Sequence, residues 1–421
     1  MNPDSSPSTS SDPDRTGTTP DDPSSAEPPR RSPSRRRLLR WAGLGAGGAI
    51  VAGSGAVGVR AGTNGVWGAG TRDSHELWRS WKDETGVRGV VAAGVLAASP
   101  HNTQPWLFDV RPSSIDVLSE PSRRIPITDA SLREHYSGLG CAVENMVRAA
   151  GALGFTATVR VVPEGTDSPV VARLELESGP ARADPLYEAI GDRHTNRGPY
   201  QNREVPEAQL SRLEELARAH EGVGLRWLTS RAERDEMSYL IVEATQAITD
   251  DEEQSRDSAS WFRTPRSDVD HHRDGITLDA QALDSFTLAM AKILPEQSRQ
   301  AADRFWVERT RSEQCPTAAA YGVITVGDAA ALQDQFNGGR ALQAVHLAAT
   351  RAELGLHPMN QITERIDRDH ALGQPDQFGS RYADLLGAEA KTLLLAFRVG
   401  YPERAAMPSP RLRLDDVLTS H

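Results

Sequence analysis

Two short segments in different halves of the chain carry side chains suited to holding an anionic ligand. Ser99–Trp106 has the sequence Ser-Pro-His-Asn-Thr-Gln-Pro-Trp, and Arg193–Arg197 has the sequence Arg-His-Thr-Asn-Arg. The planar guanidinium group of arginine binds phosphate through two parallel hydrogen bonds, so the second segment suits a phosphate. Taken alone, this segment is also compatible with a solvated basic turn.

Two further segments lie near the end of the chain. Gly355–Gln361 has the sequence Gly-Leu-His-Pro-Met-Asn-Gln, and an apolar stretch ending in Val399–Pro402 is followed by Pro410–Arg413, Pro-Arg-Leu-Arg. Together with the first two segments, they resemble the flavin cradle of the nitroreductase-like FMN oxidoreductases, and the chain most resembles the Acg family within that group.

The resemblance implies a bound FMN and a set of residues around it. They are Ser99, Pro100, Asn102, Arg193, Thr195, Arg197, Asn360, Gln361, Arg411 and Arg413. By the same resemblance, Arg193 and Thr195 would hold the phosphate or ribityl groups, and Arg197 would lie near the pyrimidine carbonyl. Arg411 is the first choice for the C-terminal phosphate clamp, with Arg413 as the second. No side chain is assigned as catalytic.

The sequence departs from the family pattern in two of these segments. Ala98 stands where the family has a proline, and Pro100 appears two places later. Asn360 and Gln361 replace the usual acidic-Gly pair in the loop that places a backbone N–H against flavin N5. The resemblance therefore leaves the contact with N5 open.

The implied function is two-electron transfer through flavin N5 from a small-molecule donor to a nitroaromatic, a quinone or a similar acceptor. Residues 251–312 form a charged insertion, which resembles a lid over the flavin in the Acg family. Because a lid would restrict access, a protein that sequesters FMN with little turnover is the alternative. A scaffold with degenerate motifs is a third interpretation.

The elements that must position these residues divide into two lobes, about 70–180 and about 184–421. Gly140–Phe155 and Gly339–Leu356 are similar to each other, since both are Ala-rich helical stretches that end in Leu-Gly. Such a weak repeat also arises by chance. Combined with the resemblance, it predicts an α+β fold, a nitroreductase-like three-layer α-β-α sandwich with two pseudo-symmetric lobes fused in one chain. Only one set of motifs is present, so we expect one FMN per chain and a monomer.

Local patterns predict long helices over 76–98, 138–153 and 328–354, the last of them with a kink at Gly338-Gly339. Alternating or continuous apolar runs predict strands at 106–110, 115–118, 157–162, 170–176, 225–228, 319–326 and 392–399.

The N-terminal residues resemble a targeting segment. Residues 1–34 are rich in Ser, Pro, Asp and Thr and are expected to be disordered. Residues 35–61 begin with Arg-Arg-Arg-Leu-Leu-Arg and continue into a weakly apolar Gly/Ala-rich run, which resembles a twin-arginine (Tat) export signal. Whether this segment is cleaved or stays as a membrane anchor is left open. We therefore expect a protein that is exported by the Tat machinery and functions outside the cytoplasm.

Net charge and the spacing of histidines and cysteines argue against several other kinds of binding site. The 421-residue chain has a formal net charge of −11, which argues against nucleic acid as a partner. The His271-His272 pair lacks further ligands at metal-like spacing, so no metal site is predicted. A disulfide between Cys141 and Cys315 is compatible with an exported protein, and the sequence leaves this pairing undecided.

Overall fold

The computed structural model describes residues 72–295 and 297–419, which contain both helices and strands. The α-helices there are Leu77–Ser80 (α1), Gly86–Val95 (α2), Arg133–Ala152 (α3), Pro185–Glu188 (α4), Glu207–Arg218 (α5), Arg231–Asp250 (α6), Glu252–Ala259 (α7), Arg266–His272 (α8), Ser285–Ile293 (α9), Arg299–Arg309 (α10), Leu332–Arg351 (α11), Gln361–Ala371 (α12) and Gly379–Leu386 (α13). The strands are Trp106–Arg111 (β1), Ser114–Ser119 (β2), Phe155–Val161 (β3), Val170–Ser178 (β4), Gly224–Leu228 (β5), Phe262–Arg263 (β6), Ile276–Thr277 (β7), Ala320–Thr325 (β8), Gly355–Pro358 (β9) and Leu393–Gly400 (β10).

Two four-stranded sheets share one topology. The strand order is β1-β2-β4-β3 in the first sheet and β5-β8-β10-β9 in the second, and every neighbouring pair is antiparallel. In both sheets the first and second strands of the lobe are neighbours, and the fourth strand lies between the second and the third. A long helix, α3 or α11, follows the second strand in each lobe. The predicted α+β class is confirmed, and the two lobes repeat the same strand order.

The two long helices α3 and α11 pack against each other, and glycine allows their close approach. A Cβ atom at Gly140 would overlap the carbonyl oxygen of Phe336, and one at Gly339 would overlap the carbonyl oxygen of Ser137. Helix α11 continues without interruption through Gly338 and Gly339. Gly339 serves contact between the helices.

The second sheet is buried more deeply than the first. Strand β10 is buried at all eight positions, which its near-continuous apolar sequence favours. One of its faces packs on α5 and α11, and the other packs on α6, α12 and α13. In contrast, the outer face of the first sheet carries the ion pairs of Asp116 with Arg111 and Arg173. The first sheet therefore has one face toward solvent.

The chain after β10 returns to the first lobe. Leu418 forms a bridge with Phe108 of β1, and the N–H of Thr419 donates to the Phe108 carbonyl at 2.9 Å. On the way, the N–H of Arg411 donates to the carbonyl of Ser74 at 2.7 Å. This crossing of the C-terminal tail delivers Arg411 to the region around α1 and α2.

The structure corrects two further expectations. The predicted helix over 76–98 is broken, because the chain is extended at Glu84 and Thr85 between a 3-10 turn and α2. Of the segment Gly355–Gln361, which was compared with a loop, Gly355–Pro358 is a strand and only residues 359–360 have irregular backbone. Cys141 and Cys315 are buried free thiols rather than a disulfide.

Among the described residues, the charged insertion contains four α-helices, α7 to α10, and a parallel pair of short strands, β6 and β7. The strand pair was not predicted. No helix among the described residues has the length and apolar character needed to cross a bilayer. The predicted tail and signal, residues 1–61, lie outside the described residues.

Candidate functional site

The loop that follows α2 is held in an uncommon backbone conformation. The φ angles are 45° at His101, 57° at Asn102 and 53° at Gln104. Left-handed backbone costs energy for residues other than glycine, and it persists where surrounding contacts fix it. Here the Ser99 hydroxyl accepts a hydrogen bond from the Gln104 N–H at 3.1 Å. The loop turns the amides of Asn102 and Gln104 into the protein, where both are buried.

The same loop packs on α3 through its first two residues. A Cβ atom placed on Gly138 would lie 3.0 Å from Cδ of Pro100 and 3.5 Å from Cβ of Ser99. Ser99 and Pro100 therefore anchor the loop to the long helix of their own lobe.

Arg411 lies behind this loop. Its Nη1 donates to Oδ1 of Asn102 at 2.6 Å, and its Nη2 donates to the carbonyl of Ala97 at 3.0 Å. The guanidinium group also lies over the Trp78 ring, with Cζ 4.6 Å from the ring centroid. Arg411 is 3% exposed.

Arg193 reaches the same place from the second lobe. Its Nη2 donates to the carbonyl of Leu96 at 3.0 Å, just beyond α2, and its Nη1 lies 3.5 Å from Nδ1 of His346 on α11. Arg411 Nη2 is also 3.4 Å from the Leu96 carbonyl. The structure therefore brings these two predicted residues together at the carboxyl end of α2.

No carboxylate among the described residues pairs with either arginine. Five nitrogens in this region are buried and have no hydrogen-bond partner among those residues: Nε of Arg193 and Arg411, Nε2 of His75 and His346, and Nδ1 of His194. We call these five residues the arginine cluster.

Burial strongly affects the charges of the cluster. It lowers the pKa of Arg193 to about 10, with the charge of Arg197 adding to the effect. It also lowers the pKa of Arg411 well below its ordinary value, and the charge of Arg193 adds to this. Burial, followed by the charges of Arg193 and Arg411, lowers the pKa of His194 to about 3. Positive charge that is buried without a counter-charge is unfavourable, so the cluster is suited to an anion.

Arg197 lies at a neighbouring position against the insertion. Its Nη1 donates to the carbonyl of Ala280 at 3.3 Å, and its own carbonyl accepts from Nη2 of Arg309 at 3.2 Å. Burial, and then the charge of Arg309, lowers the pKa of Arg197 to about 10. Burial, and then the charge of Arg197, lowers the pKa of His101 to about 4. Thr195, between the two arginines in sequence, is half-buried.

The insertion is also bonded directly to the loop after α2. The Gly275 N–H donates to the Asn102 carbonyl at 3.2 Å, and the side chain of Gln104 donates to the Arg273 carbonyl at 2.9 Å. Between these points, Asp274 pairs with Arg123 at 3.0 Å. The insertion thus contacts both the loop and Arg197.

The remaining predicted residues have other surroundings. Asn360 begins α12, and its Oδ1 accepts from the Ala396 N–H on β10 at 2.9 Å. Its side chain also bonds with Glu134 on α3. Gln361 is buried, with its Oε1 lacking a partner among the described residues. Arg413 is exposed beside a 3-10 turn. The structure does not bring these three into hydrogen-bond contact with the arginine cluster.

Sequence reasoning missed Trp78, His75 and His346 as parts of this region. Trp78 lies within the helix predicted over 76–98, and His346 lies within the Ala-rich helix α11. Each is brought to the cluster by packing between distant segments, so no local pattern indicates it.

A second charged region surrounds Glu144 on α3. Its carboxylate pairs with Arg148 at 2.7 Å, with Arg340 at 3.0 Å and with His220 at 3.2 Å. We call these four residues the Glu144 network. They line a cavity of about 390 Å³. Burial would raise the pKa of Glu144, but the hydrogen bond from His220 and the charges of Arg148 and Arg340 overcome this and lower the pKa to about 2.

Comparison with known proteins gives partial matches. No family model matches the chain. Over 181 residues it is 33% identical to "Putative NAD(P)H nitroreductase Rv3131" of Mycobacterium tuberculosis (strain ATCC 25618 / H37Rv), and equally to "Putative NAD(P)H nitroreductase MT3217" of strain CDC 1551 / Oshkosh. The match covers 42% of this chain and 52% of each relative, so the chain spans about half the length of these curated relatives.

Two solved structures show a weaker likeness. The FMN-dependent nitroreductase NfnB from Mycobacterium smegmatis in complex with NADPH has 15% identity and a TM-score of 0.37, covering 56% of this chain and 98% of that one. A nitroreductase with bound FMN from Desulfitobacterium hafniense DCB-2 has 11% identity and a TM-score of 0.36, covering 57% of this chain and 100% of that one. Likeness at this level is too low to establish a shared fold.

Proposed function

We propose that the protein is an FMN-dependent oxidoreductase of the nitroreductase type. The observation that carries this proposal is the arginine cluster, which places Arg193 and Arg411 together in the interior with no carboxylate partner among the described residues. A buried cationic site of this kind fits the phosphate dianion of FMN. The 33% identity to proteins named as NAD(P)H nitroreductases supports the same class of function.

The residues that are present fit the cofactor in two places. Arg193 and Arg411 would hold the phosphate, because each has a buried Nε that makes no hydrogen bond to the described residues. Arg197 would face the pyrimidine edge, where a cation stabilises the negative charge that reduction adds. When bound, FMN would accept and return two electrons at N5. Asn102 and the Leu96 and Ala97 carbonyls orient the two phosphate-binding guanidinium groups.

We further propose that the insertion acts as a lid that limits which donors and acceptors enter. Its hydrogen bonds to Asn102 and Gln104, and the bond from Arg197 to Ala280, support this role. The donor would be a small molecule such as NAD(P)H or a quinol, and the acceptor a nitroaromatic, a quinone or a similar compound. The same bonds favour the second candidate function, an FMN-sequestering protein with little turnover.

Anaerobic titration of the purified full chain separates these functions. The protein is expected to be yellow, to lose its flavin absorbance on addition of NADPH or a quinol, and to regain it with an acceptor. Bleaching by dithionite alone would instead support sequestration. A colourless protein that takes up no FMN would contradict both candidate functions.

We also propose that the chain is a monomer with one FMN and that its N-terminal segment directs export by the twin-arginine pathway. The export proposal rests on the sequence of residues 34–40, Ser-Arg-Arg-Arg-Leu-Leu-Arg. Fusion of residues 1–71 to a reporter that is active only after export tests it. Paired Arg35→Lys and Arg36→Lys substitutions should abolish the reporter signal, and full export of that variant would refute the proposal.

A further inference from the structure

The side chain of Asn102 is engaged within the protein on both of its functional groups. Its Nδ2 donates to the carbonyl of Gly275 at 3.2 Å and to the carbonyl of Pro410 at 3.0 Å. Its Oδ1 accepts from Arg411 at 2.6 Å. An amide has two N–H donors, and both are used. Asn102 therefore cannot donate a hydrogen bond to a ligand without releasing either the insertion or the C-terminal tail.

Gln104 repeats this arrangement two residues later. Its Nε2 donates to the carbonyl of Arg273, and its Oε1 accepts from the Leu412 N–H, each at 2.9 Å. Like Asn102, it joins the insertion to the C-terminal tail, and it is fully buried. Gln104 has no hydrogen bond to Arg411, so it links the insertion to the tail without bonding the guanidinium group itself.

The backbone at these positions holds the two amides in place. Asn102 and Gln104 are both in the left-handed region, with the ordinary right-handed Thr103 between them. This conformation is tolerated by asparagine but is unfavourable for glutamine, so the contacts of Gln104 must fix it. Loss of the contacts on one side of the loop should therefore loosen those on the other.

We propose that Asn102 is a positioning residue that couples anion binding at Arg411 to closure of the insertion over the site. An anion that fixes the Arg411 guanidinium also fixes Oδ1 of Asn102, and hence the direction of its Nδ2 toward Gly275. Linkage makes the effect reciprocal, so an open insertion weakens anion binding by the factor by which the anion favours closure. The proposal rests on the proposed function only in taking the anion to be the phosphate of FMN.

Hydrogen exchange at residues 273–278 measures closure, because the Gly275 N–H is bonded to the Asn102 carbonyl. In the wild-type full chain, FMN is expected to slow exchange there by tenfold or more, and inorganic phosphate is expected to slow it to a smaller extent. Exchange that neither FMN nor phosphate changes would overturn the coupling. Protection by phosphate in a protein that does not bind FMN would support the coupling and refute the proposed cofactor.

Two nearly isosteric variants separate positioning from simple loss of a ligand. Asn102→Asp keeps the acceptor for Arg411 but removes both donors, so exchange at 273–278 should be fast with or without FMN. FMN affinity should fall at least 30-fold, but the new carboxylate also pairs with Arg411, so exchange is the decisive readout for this variant. Gln104→Glu keeps the acceptor for the Leu412 N–H, but it replaces the donor to the Arg273 carbonyl by a buried carboxylate oxygen. It should weaken FMN binding by about three- to tenfold and raise exchange in the same segment. It also serves as the second test if Asn102→Asp does not fold.

Arg266→Gln, on the exposed surface of the insertion, is the matched control and should change neither quantity. If Asn102→Asp weakens FMN binding while FMN still protects 273–278, Asn102 is only part of the anion site and the proposal fails. It also fails if Gln104→Glu speeds exchange at 273–278 but leaves FMN affinity unchanged.

Discussion

The arginine cluster and the Glu144 network lie at corresponding places in the two lobes, but they differ in how their positive charge is balanced. In the first lobe, α2 is followed by Ala98, whose N–H donates to Gln343 of α11 at 3.3 Å. In the second lobe, α5 is followed by His220, which bonds Glu144 of α3 at 3.2 Å. In the internal repeat, Glu144 aligns with Gln343. The two regions thus form where the end of a short helix meets the long helix of the other lobe.

The regions differ in how their positive charge is balanced. Glu144 is 1% exposed and neutralises two arginines from within the protein. The arginine cluster has no such carboxylate among the described residues, and Gln343 is neutral. The comparison suggests that one region stabilises the contact between lobes, whereas the other leaves its charge available to a ligand.

The largest effect is expected from removing the carboxylate of the Glu144 network. Glu144→Gln leaves Arg340 without its carboxylate partner, leaves Arg148 with only Asp184, and removes the carboxylate bonded to His220. This should lower the free energy of unfolding by about 3 kcal/mol. Urea denaturation measures this change. Glu188→Gln, which breaks the exposed pair with Lys82, is the control and should cost less than about 1 kcal/mol. Equal losses in the two variants would remove the distinction between the regions.

The next effect concerns ligand binding at the other region. Arg411→Ala should weaken FMN binding by about 1.5–3 kcal/mol, the usual contribution of a hydrogen bond to a charged group. Fluorescence titration with FMN measures the dissociation constant. Arg413→Ala removes an exposed arginine two residues away and should leave it unchanged. Full FMN affinity in the Arg411→Ala protein would refute the assignment of the phosphate site.

The pH dependence of stability should also separate the regions. The pKa of His194 falls from its ordinary value of 6.5 to about 3 in the folded protein, so the unfolded chain binds a proton more readily. The free energy of unfolding should therefore fall as the pH drops from about 6.5 toward 3. His194→Phe keeps a ring against Trp78 and should remove about 1–2 kcal/mol of this loss at pH 5.

Because the pKa of Glu144 is lowered, its contribution to the free energy of unfolding is lost only at more acid pH. The carboxylate stabilises the fold fully above pH 4.5, and this contribution is lost between about pH 4.5 and 2. Unfolding curves for both variants across this range distinguish the two regions. An unchanged pH profile in His194→Phe would show that the arginine cluster does not suppress protonation of that ring.

The smallest effect should come from deleting a positive charge of the arginine cluster in the ligand-free protein. Arg193→Met removes a buried charge that has no carboxylate partner, so stability should change by less than about 1 kcal/mol or should rise. Thermal unfolding without FMN tests this. A loss as large as that of Glu144→Gln would mean that the cluster supports the fold rather than a ligand.

The sequence predicted most of the strands and part of the site, for physical reasons. The alternation in Val170–Leu176 and the continuous apolar run of β10 report burial directly, so these strands were found. Arg193 and Arg411 were found because the segments that contain them, Arg193–Arg197 and Pro410–Arg413, resemble phosphate-binding segments of the nitroreductase-like family. In contrast, the break in the predicted helix at Glu84-Thr85 was missed although it has a local signal, since Thr85 is the N-cap of α2 and Gly86 has a φ of 60°.

The non-local partners could not be predicted. His346 and Trp78 reach Arg193 only because α11, α1 and the loop after α2 meet in the folded protein. The Glu144 network was missed for the same reason, since Arg340 and His220 come from different elements of the second lobe. Neutralisation by a distant carboxylate is a tertiary property. The presence or absence of such a carboxylate determines which of the two basic regions is suited to bind an anion.

The most direct test of the account is isothermal titration of the ligand-free full chain with FMN and, separately, with riboflavin. The two ligands differ only in the phosphate, which the arginine cluster is proposed to hold. The account predicts one FMN per chain and an affinity for riboflavin at least about 100-fold lower, equivalent to about 2.7 kcal/mol. Equal affinity for the two ligands, or two FMN molecules per chain, would contradict it.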